Sequence, residues 1–301
     1  MEYPKLNRLS LKDKPWIDKY SSIKAHELSS YKFPSLYIWQ KHFKFLYRVI
    51  NDNLCIFARD KIGAFMYLPP LGGRVLEKTI FECFKIMDSL NVSPNVSRIE
   101  NIEKNDLPFY KAMGLKIISK DSEYLCKRSE LTGLPGKRFK SKRALVNYFL
   151  KNYRFSFEDF RPGFKDECLR LYKRWKKERL SKYKDPVYKA MIEDNLYTHT
   201  TAMDYFSKLG LEGKVIKIDG KIYGYTLGYA LNKEIFCILF EITDLKIKGI
   251  SQFIFREFCA RLDGYDYINI MDDSGLMNLR KTKLSYHPFR EIESFIATSN
   301  K

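Results

Sequence analysis

The sequence predicts an α/β fold of the α+β type that occurs twice, as two lobes that each contain a mixed sheet. The first observation is a run of three β-branched segments divided by turn residues, at residues 45–70 and again at 214–243. The second is that a glycine-bearing loop and an amphipathic helix follow each run, at 71–90 and 245–260. Such a duplication predicts a ligand site in a cleft shared by the two lobes.

Both halves then continue with a strand, a helix and further strand structure. In the first half these elements are predicted at 97–102, 107–115 and, as a strand pair, 116–126; in the second half they are predicted at 267–271, 275–284 and 289–296. The order of elements therefore repeats, although sequence identity between the halves is low.

A basic segment separates the two halves. It opens with the turn residues Thr132-Gly133 and Pro135-Gly136 and then becomes a helix with a narrow apolar stripe. We therefore expect a first lobe at 1–128, a linker with the start of a connecting helix at 129–145, and a second lobe at 146–301.

Bulk composition indicates a folded protein of ordinary class. The chain has 301 residues, of which 45% are hydrophobic and 15% aromatic, which is ample for buried cores. No apolar stretch is long enough to span a membrane, and the N-terminus lacks a signal-peptide apolar region. The six cysteines form no Cys-x-x-Cys pair and the four histidines show no metal spacing. We expect a cytoplasmic protein with reduced cysteines and no metal.

The net charge of +18 has two interpretations. The lysines can form an ordinary solvated surface, or they can bind a polyanion such as tRNA or an anionic membrane surface. Clustering favours the second interpretation slightly, and Lys137, Arg138, Lys142 and Arg143 are the candidate RNA-binding residues. A second basic cluster occupies 173–179.

The loop after the third strand of the second half resembles a cofactor loop. The element order is that of the GNAT acyltransferase fold, so the resemblance implies a tandem GNAT protein. GNAT enzymes hold the coenzyme A pyrophosphate on a loop of the form Gln/Arg-x-x-Gly-x-Gly/Ala, and the same spacing here is Lys246-x-x-Gly249-x-Ser251. Lys246, Gly249, Ile250 and Ser251 are therefore candidate cofactor-binding residues. An ordinary strand-to-helix turn is the alternative.

A more specific resemblance covers nearly the whole chain. The linker contains Leu134-Pro135-Gly136-Lys137 followed by Lys142-Arg143. The C-terminal region contains Asn269, Asp273, Gly275, Leu279-Arg280, Lys283, Ser285-Tyr286 and Pro288 in a spaced pattern. These segments look like a bacterial family of unassigned function that resembles the C-terminal catalytic domain of phosphatidylglycerol lysyltransferases. The resemblance implies aminoacyl-tRNA as donor.

That pattern also supplies candidate site residues. Asn269, Asp273, Arg280, Lys283 and Tyr286 are candidate contacts to substrate or RNA. The alternatives are helix capping for Asp273 and internal ion pairing for Arg280 and Lys283.

Acyl transfer needs a base for the acceptor proton, and two acids follow a core strand. Glu241 and Asp244 are the candidate catalytic residues, although Asp244 equally suits the role of a strand-end carboxylate that caps the next helix. The chain has Glu241-Ile242 where the family commonly has Glu-Lys, and Ile270-Met271-Asp272 where Arg-Glu-x is more usual.

Three functions remain open. The first is an aminoacyltransferase that moves an amino acid from aminoacyl-tRNA to an amine or hydroxyl. The second is a coenzyme A-dependent N-acyltransferase that uses acetyl-CoA or another acyl-CoA. The third is a non-catalytic RNA- or ligand-binding protein on a transferase fold.

Overall fold

The computed structural model describes residues 5–182 and 186–299 of the chain. Its backbone contacts divide the chain into two compact units, 1–123 with 291–301, and 124–290. This division differs from the expected one at both ends of the second lobe. The residues expected to form the linker belong to the second unit, and the C-terminal segment belongs to the first.

The first unit is built on a seven-stranded mixed sheet. Its strands are β1 (Asn7–Arg8), β2 (Lys44–Ile50), β3 (Asn53–Arg59), β4 (Ala64–Met66), β5 (Arg98–Glu103), β6 (Lys116–Ser119) and β14 (Ser294–Thr298). Their spatial order is β1-β2-β3-β4-β5-β14-β6. The helices of this unit are α1 (Lys14–Ser21), α2 (Phe33–Ile38), α3 (Glu77–Leu90) and α4 (Leu107–Ala112).

The second unit repeats the arrangement around a second seven-stranded sheet. Its strands are β7 (Glu123–Lys127), β8 (Phe155–Asp159), β9 (Glu212–Ile218), β10 (Lys221–Ala230), β11 (Ile235–Thr243), β12 (Tyr267–Asn269) and β13 (Arg290–Ile292), in the order β13-β7-β12-β11-β10-β9-β8. Its helices are α5 (Arg128–Gly133), α6 (Lys140–Asn152), α7 (Lys165–Lys182), α8 (Pro186–Asp204), α9 (Phe206–Leu209), α10 (Ile250–Ala260) and α11 (Met277–Leu284).

Both sheets have the same internal logic. In each sheet, three consecutive strands pair antiparallel, and the third of them pairs in parallel with the strand that follows the next helix. In the first sheet β4 pairs with β5 at Met66 and Ile99, and in the second β11 pairs with β12. The segments at 45–70 and 214–243 form the predicted strands, and the predicted helices α3, α4, α10 and α11 are present. The fold is therefore the expected tandem one with two mixed sheets.

One predicted strand pairing and one predicted strand are wrong. The segment 116–126 was expected to form a strand pair, but β6 pairs with β14 in the first sheet and β7 pairs with β12 in the second. The segment 289–296 was expected to form one strand, but it divides into β13 and β14, which lie in different sheets. Alternation of apolar and polar residues identifies a strand, but it does not identify the neighbouring strand, because the same pattern fits a position in either sheet.

Apolar packing fixes α6 and α10 on the second sheet. Phe149 on α6 and Phe253 on α10 have ring centroids 4.8 Å apart, and both are buried. They belong to one cluster with Phe139, Ile216 and Ile254. The connecting helix predicted from the basic segment is therefore a packed element of this unit.

Candidate active site in the second unit

The second sheet opens where its central parallel pair ends. Strands β11 and β12 pair only from Ile235 to Cys237 on β11, against Tyr267 to Asn269 on β12. Beyond Cys237, β11 continues to Thr243 with β10 as its neighbour on one side. Residues 238–243 of β11 line a cavity of about 610 Å³. This volume lies within the range of about 300–1,000 Å³ that is typical of ligand sites.

The cavity walls come from four helices of the same unit. The α7–α8 side is rich in aromatic residues, and the α10–α11 side carries polar groups. The principal lining residues are Tyr172, Trp175, Arg179, Tyr188, Ile192, Asn195, His199, Phe240, Glu241, Ser251, Gln252, Phe255, Leu279, Thr282, Lys283 and Tyr286. The expected cleft shared by the two lobes stays a prediction.

Glu241 is the titratable group on the β11 wall. Its Oε1 atom accepts a hydrogen bond from the Ser251 hydroxyl at 3.1 Å. Its Oε2 atom is buried and has no hydrogen-bond partner among the described residues. Burial raises the pKa of this carboxyl to about 8, against the opposing effects of the Ser251 hydrogen bond and the Lys142 charge. A carboxyl with this pKa can take up and release a proton near neutral pH.

Lys142 places a cation close to Glu241. Its ammonium donates a hydrogen bond to the Ser285 hydroxyl at 2.7 Å and lies 4.1 Å from the centre of the Tyr286 ring. Burial lowers the pKa of Lys142, whereas the charge of Glu241 raises it. The helix α6 therefore supplies a half-buried positive charge that offsets part of the cost of ionising Glu241.

Tyr286 forms part of the wall next to these two groups. Its ring lies 4.4 Å from that of Phe255, and the side chain is buried. Burial and the charge of Glu241 raise the pKa of its hydroxyl well above the usual value. Tyr286 therefore lines the cavity as a neutral phenol.

His199 is a cavity residue that sequence reasoning missed. Its ring stacks on Phe240 with centroids 3.8 Å apart, and its Nδ1 atom is 2.9 Å from the Tyr225 hydroxyl. Burial lowers the pKa of His199 to about 3, so the imidazole is neutral at physiological pH. A usable signal existed, because Tyr188, Ile192, Asn195 and His199 recur at the spacing of one helical face on α8.

Asp244 lies outside the cavity lining. Its Oδ1 atom accepts a hydrogen bond from the Lys246 N–H at 2.9 Å, and its Oδ2 atom is 3.8 Å from an Arg174 nitrogen. An Asp that accepts a hydrogen bond from the N–H two residues later forms an Asx-turn. Asp244 therefore forms a turn at the strand end and does not cap α10, whose N-cap residue is Gly249. It does not line the cavity.

The loop 246–251 packs against α6. Gly249 has a φ of +85°, and a Cβ atom there would lie 2.1 Å from the Leu145 carbonyl oxygen. Ile250 is buried in the apolar cluster, and Lys246 is exposed, with its ammonium 3.9 Å from Glu178. Among these loop residues only Ser251 lines the cavity. Coenzyme A binding by this loop stays a prediction.

Two residues of the C-terminal pattern hold the turn after β12. The Asn269 side chain accepts a hydrogen bond from the Met271 N–H at 2.7 Å. Asp273 accepts hydrogen bonds from the Tyr124 hydroxyl at 2.5 Å and from the Gly275 N–H at 3.0 Å. Both side chains are buried and shape the backbone next to the cavity.

The two basic residues of that pattern differ. The Lys283 ammonium donates hydrogen bonds to the carbonyl oxygens of Ile270, at 2.5 Å, and Asp272, and the side chain lines the cavity. Arg280 is exposed on α11 and does not line it. The structure therefore places Lys283 in the cavity wall and leaves Arg280 on the surface.

The basic cluster in the linker is not a uniform cationic face. Arg143 donates hydrogen bonds to the carbonyl oxygens of Leu134 and Gly136, the second at 2.7 Å. Arg138 forms an ion pair with Glu130 at 2.6 Å. Lys137 is an exposed residue of the turn that precedes α6. Three of the four candidate RNA-binding cations therefore have intramolecular partners, Lys142 among them.

The matches to known proteins agree with this architecture. The family model described as phosphatidylglycerol lysyltransferase, C-terminal, matches residues 22–298. The chain belongs to this family. No curated protein sequence matches it significantly. Family and fold together make the chain acyltransferase-like.

Solved structures show the same fold over nearly the whole chain. A conserved protein of unknown function from Bacteroides thetaiotaomicron is 25% identical, with a TM-score of 0.89 and coverage of 99% of this chain and 100% of that one. The structure of L-PGS from Bacillus licheniformis is 16% identical, with a TM-score of 0.65 and coverage of 96% and 93%. The crystal structure of FemX is 10% identical, with a TM-score of 0.67 and coverage of 98% of both chains. The last two likenesses concern the fold alone.

None of the described helices combines the length and the apolar character that a membrane-spanning segment requires.

Proposed function

We propose that the second unit transfers an aminoacyl group from aminoacyl-tRNA to an amine or hydroxyl acceptor, with Glu241 as general base. The observation that carries this proposal is the buried Oε2 atom of Glu241, without a partner among the described residues, on the wall of a cavity of about 610 Å³. A buried carboxylate oxygen without a hydrogen-bond partner gains from accepting a proton, which is what the attacking nucleophile must lose.

The reaction balances with one carboxyl group. The acceptor nitrogen or oxygen attacks the ester carbonyl carbon as its proton passes to Glu241 Oε2. The bond between that carbon and the ribose oxygen of the tRNA then breaks, and the ribose oxygen takes the proton back from Glu241. Ser251 holds Oε1 throughout, and Lys142 stabilises the ionised state of Glu241 in which the cycle starts.

Two observations favour an aminoacyl donor over coenzyme A. The chain belongs to a lysyltransferase family, whose name describes aminoacyl transfer. In addition, the Leu145 carbonyl oxygen packs against Gly249 at the N-terminal end of α10. A carbonyl oxygen at that position disfavours a pyrophosphate, because it carries a partial negative charge.

A comparison of two labelled donors tests the proposal. The protein is incubated with millimolar hydroxylamine, a small amine acceptor, and with either radiolabelled aminoacyl-tRNA or radiolabelled acetyl-CoA. We expect protein-dependent hydroxamate from the tRNA donor and none from acetyl-CoA. The Glu241→Gln variant loses this activity, and Glu257→Gln, a carboxylate of α10 outside the cavity lining, keeps it. Product from acetyl-CoA alone, or from neither donor, contradicts the proposal.

A further inference from the structure

The first unit has an opening at the same topological position as the cavity in the second unit. The parallel pair of β4 and β5 is formed at Met66 and Ile99. Just beyond it, Asn101 has a φ of +56°, and its side-chain amide donates a hydrogen bond to the Tyr67 carbonyl oxygen at 2.8 Å. Beyond this Asn101–Tyr67 hydrogen bond, the segments that follow β4 and β5 line a cavity of about 220 Å³.

One side of this cavity is apolar. It comes from the segment after β4 and from α4, and its members are Pro69, Pro70, Leu71, Val75 and Phe109. The two prolines carry no N–H group, so this wall offers few hydrogen-bond donors. It suits an aliphatic or aromatic side chain.

The remaining lining includes charges of both signs. Lys24 and Asp106 line the cavity and form an ion pair at 2.6 Å. His26 lines it as well, and its Nδ1 atom is 2.9 Å from Glu103 Oε2. The other oxygen of Glu103 accepts a hydrogen bond from the Glu27 N–H at 2.9 Å. Burial alone raises the pKa of Glu103, but the contacts with His26, Glu27 and Lys24 outweigh it and lower the pKa.

A ligand with a single charge fits poorly beside this Lys24–Asp106 ion pair. An anion next to Lys24 meets the carboxylate of Asp106, and a cation next to Asp106 meets the Lys24 ammonium. A zwitterion pairs with both side chains, because the Lys24 ammonium has two further N–H donors for the ligand's carboxylate and Asp106 has a further oxygen for the ligand's ammonium. The volume of 220 Å³ also suits a small molecule better than a nucleotide or a lipid.

We propose that this cavity binds a free α-amino acid with an apolar side chain. The carboxylate contacts Lys24, the ammonium contacts Asp106, and the side chain packs against Pro69, Pro70 and Phe109. This site belongs to the first unit, and the inference does not depend on the proposed function of the second.

The test compares leucine with its two half-charged analogues. Titration calorimetry measures the binding of leucine, of 3-methylbutylamine, which lacks the carboxylate, and of 4-methylpentanoate, which lacks the ammonium. We expect leucine to bind at least about tenfold more tightly than either analogue, the difference expected for one charge-assisted hydrogen bond. Methyl NMR shifts at Leu71 and Val75 place the binding in this cavity.

Two variants and a matched control complete the experiment. Lys24→Met and Asp106→Asn should each weaken leucine binding about tenfold. Lys104→Met removes another exposed ion pair of the same unit, with Glu293 at 2.5 Å, outside the cavity lining, and should leave the binding unchanged. Absence of leucine binding at millimolar concentration overturns the proposal. So does equal binding of an analogue, unchanged binding by Lys24→Met, or methyl shifts at Leu279 of the second unit in place of those at Leu71 and Val75.

Discussion

The Glu241 carboxyl is held by one hydrogen bond, from the Ser251 hydroxyl, while its second oxygen is buried without a partner among the described residues. This imbalance is costly in a folded protein, because burying an ionised carboxylate requires compensation. The half-buried ammonium of Lys142 provides part of it. Such an arrangement is typical of a group whose proton affinity serves chemistry.

The free energy of unfolding should depend on pH because of the raised pKa of Glu241. The pKa of Glu241 is raised to about 8, so the folded state holds a proton that the unfolded state releases above its own lower pKa. The stability contributed by the protonated carboxyl is therefore present at acid pH and is lost as pH rises through about 8.

We therefore predict that Glu241→Gln is neutral at acid pH and stabilising at alkaline pH. Each 1 kcal/mol gained raises the melting temperature by about 2–4 °C for a domain of this size. Thermal melts across the pH range measure the difference, with Glu257→Gln as control. A gain that is constant with pH, or one that shrinks at alkaline pH, contradicts the assignment.

Individual side chains of the site were predictable to differing extents. Glu241 could be proposed from sequence, because an acid at the end of a core strand is uncommon unless it has a role. The role of Lys142 could not, since its neighbours Glu241, Ser285 and Tyr286 are distant in the chain. Asn269 and Asp273 were recognised by the family pattern, yet that pattern does not separate a turn-forming residue from a substrate contact.

At the scale of elements, the close approach of α6 to the N-terminal end of α10 fixes the loop 246–251, whose last residue, Ser251, lines the cavity. Gly249 permits this approach for two reasons: it adopts a left-handed φ of +85°, and it has no Cβ to meet the Leu145 carbonyl oxygen. Gly210, after α9, has a similar φ of +68°, but no atom lies within 4 Å of where its Cβ would be.

This pair separates backbone strain from steric exclusion. We predict that Gly210→Ala costs about 1–2 kcal/mol of unfolding free energy, the cost of a left-handed residue. Gly249→Ala should cost clearly more, because either the Leu145 backbone or α10 must move. Urea unfolding of both variants measures the difference. Equal losses of unfolding free energy in the two variants would show that α6 can move away from Gly249 at little energetic cost.

The helix α7 carries a stripe of exposed cations. Arg170, Lys173, Arg174 and Lys177 are exposed and recur at the spacing of one helical face. The sequence cluster at 173–179 therefore contains an outward face, on which Arg174 lies 3.8 Å from Asp244. In the linker cluster, three of the four candidate cations have intramolecular partners. Sequence spacing alone could not separate the two clusters, since both are short and lysine-rich.

If tRNA binds this stripe, the salt dependence of its affinity should report the number of phosphates that the stripe neutralises. Replacing Lys173 and Lys177 with Ser should weaken tRNA binding and flatten the slope of log affinity against log salt by about 0.7 to 0.9 for each phosphate that is no longer neutralised. Filter binding over a salt series measures this. The same replacement at Lys78 and Lys85, two exposed lysines of α3, is the matched control. Equal effects of the two double variants would show that the α7 stripe contributes to tRNA binding no more than other exposed lysines do.

At the scale of the whole molecule, the two halves exchange strands. Strand β14, from the C-terminal end of the described chain, lies between β5 and β6 in the first sheet, while β7, from the first half, lies between β12 and β13 in the second. The duplication itself was visible in the order of elements. The exchange was not, because strand identity can be read from local pattern but strand pairing is decided by contacts far apart in the chain.

This exchange predicts an effect of a C-terminal substitution on the first unit. Ala297 is fully buried in β14, so Ala297→Asp places an unpaired charge inside the first sheet. Hydrogen exchange should then show reduced protection in β5 and β6 while β9, β10 and β11 keep theirs. Ser299→Asp, just beyond the strand, is the control. Reduced protection in the second sheet and retained protection in the first would contradict the assignment of β14.

The most direct measurement of the central claim is the pH dependence of aminoacyl transfer in single turnover. We expect the wild-type rate, corrected for the reaction without protein, to rise about tenfold per pH unit at acid pH and to level off above the Glu241 pKa of about 8. Glu241→Gln should lower the plateau by about 10²–10⁴-fold and abolish this rise. A variant that keeps both the wild-type plateau and the wild-type profile would contradict the assignment of Glu241 as the base.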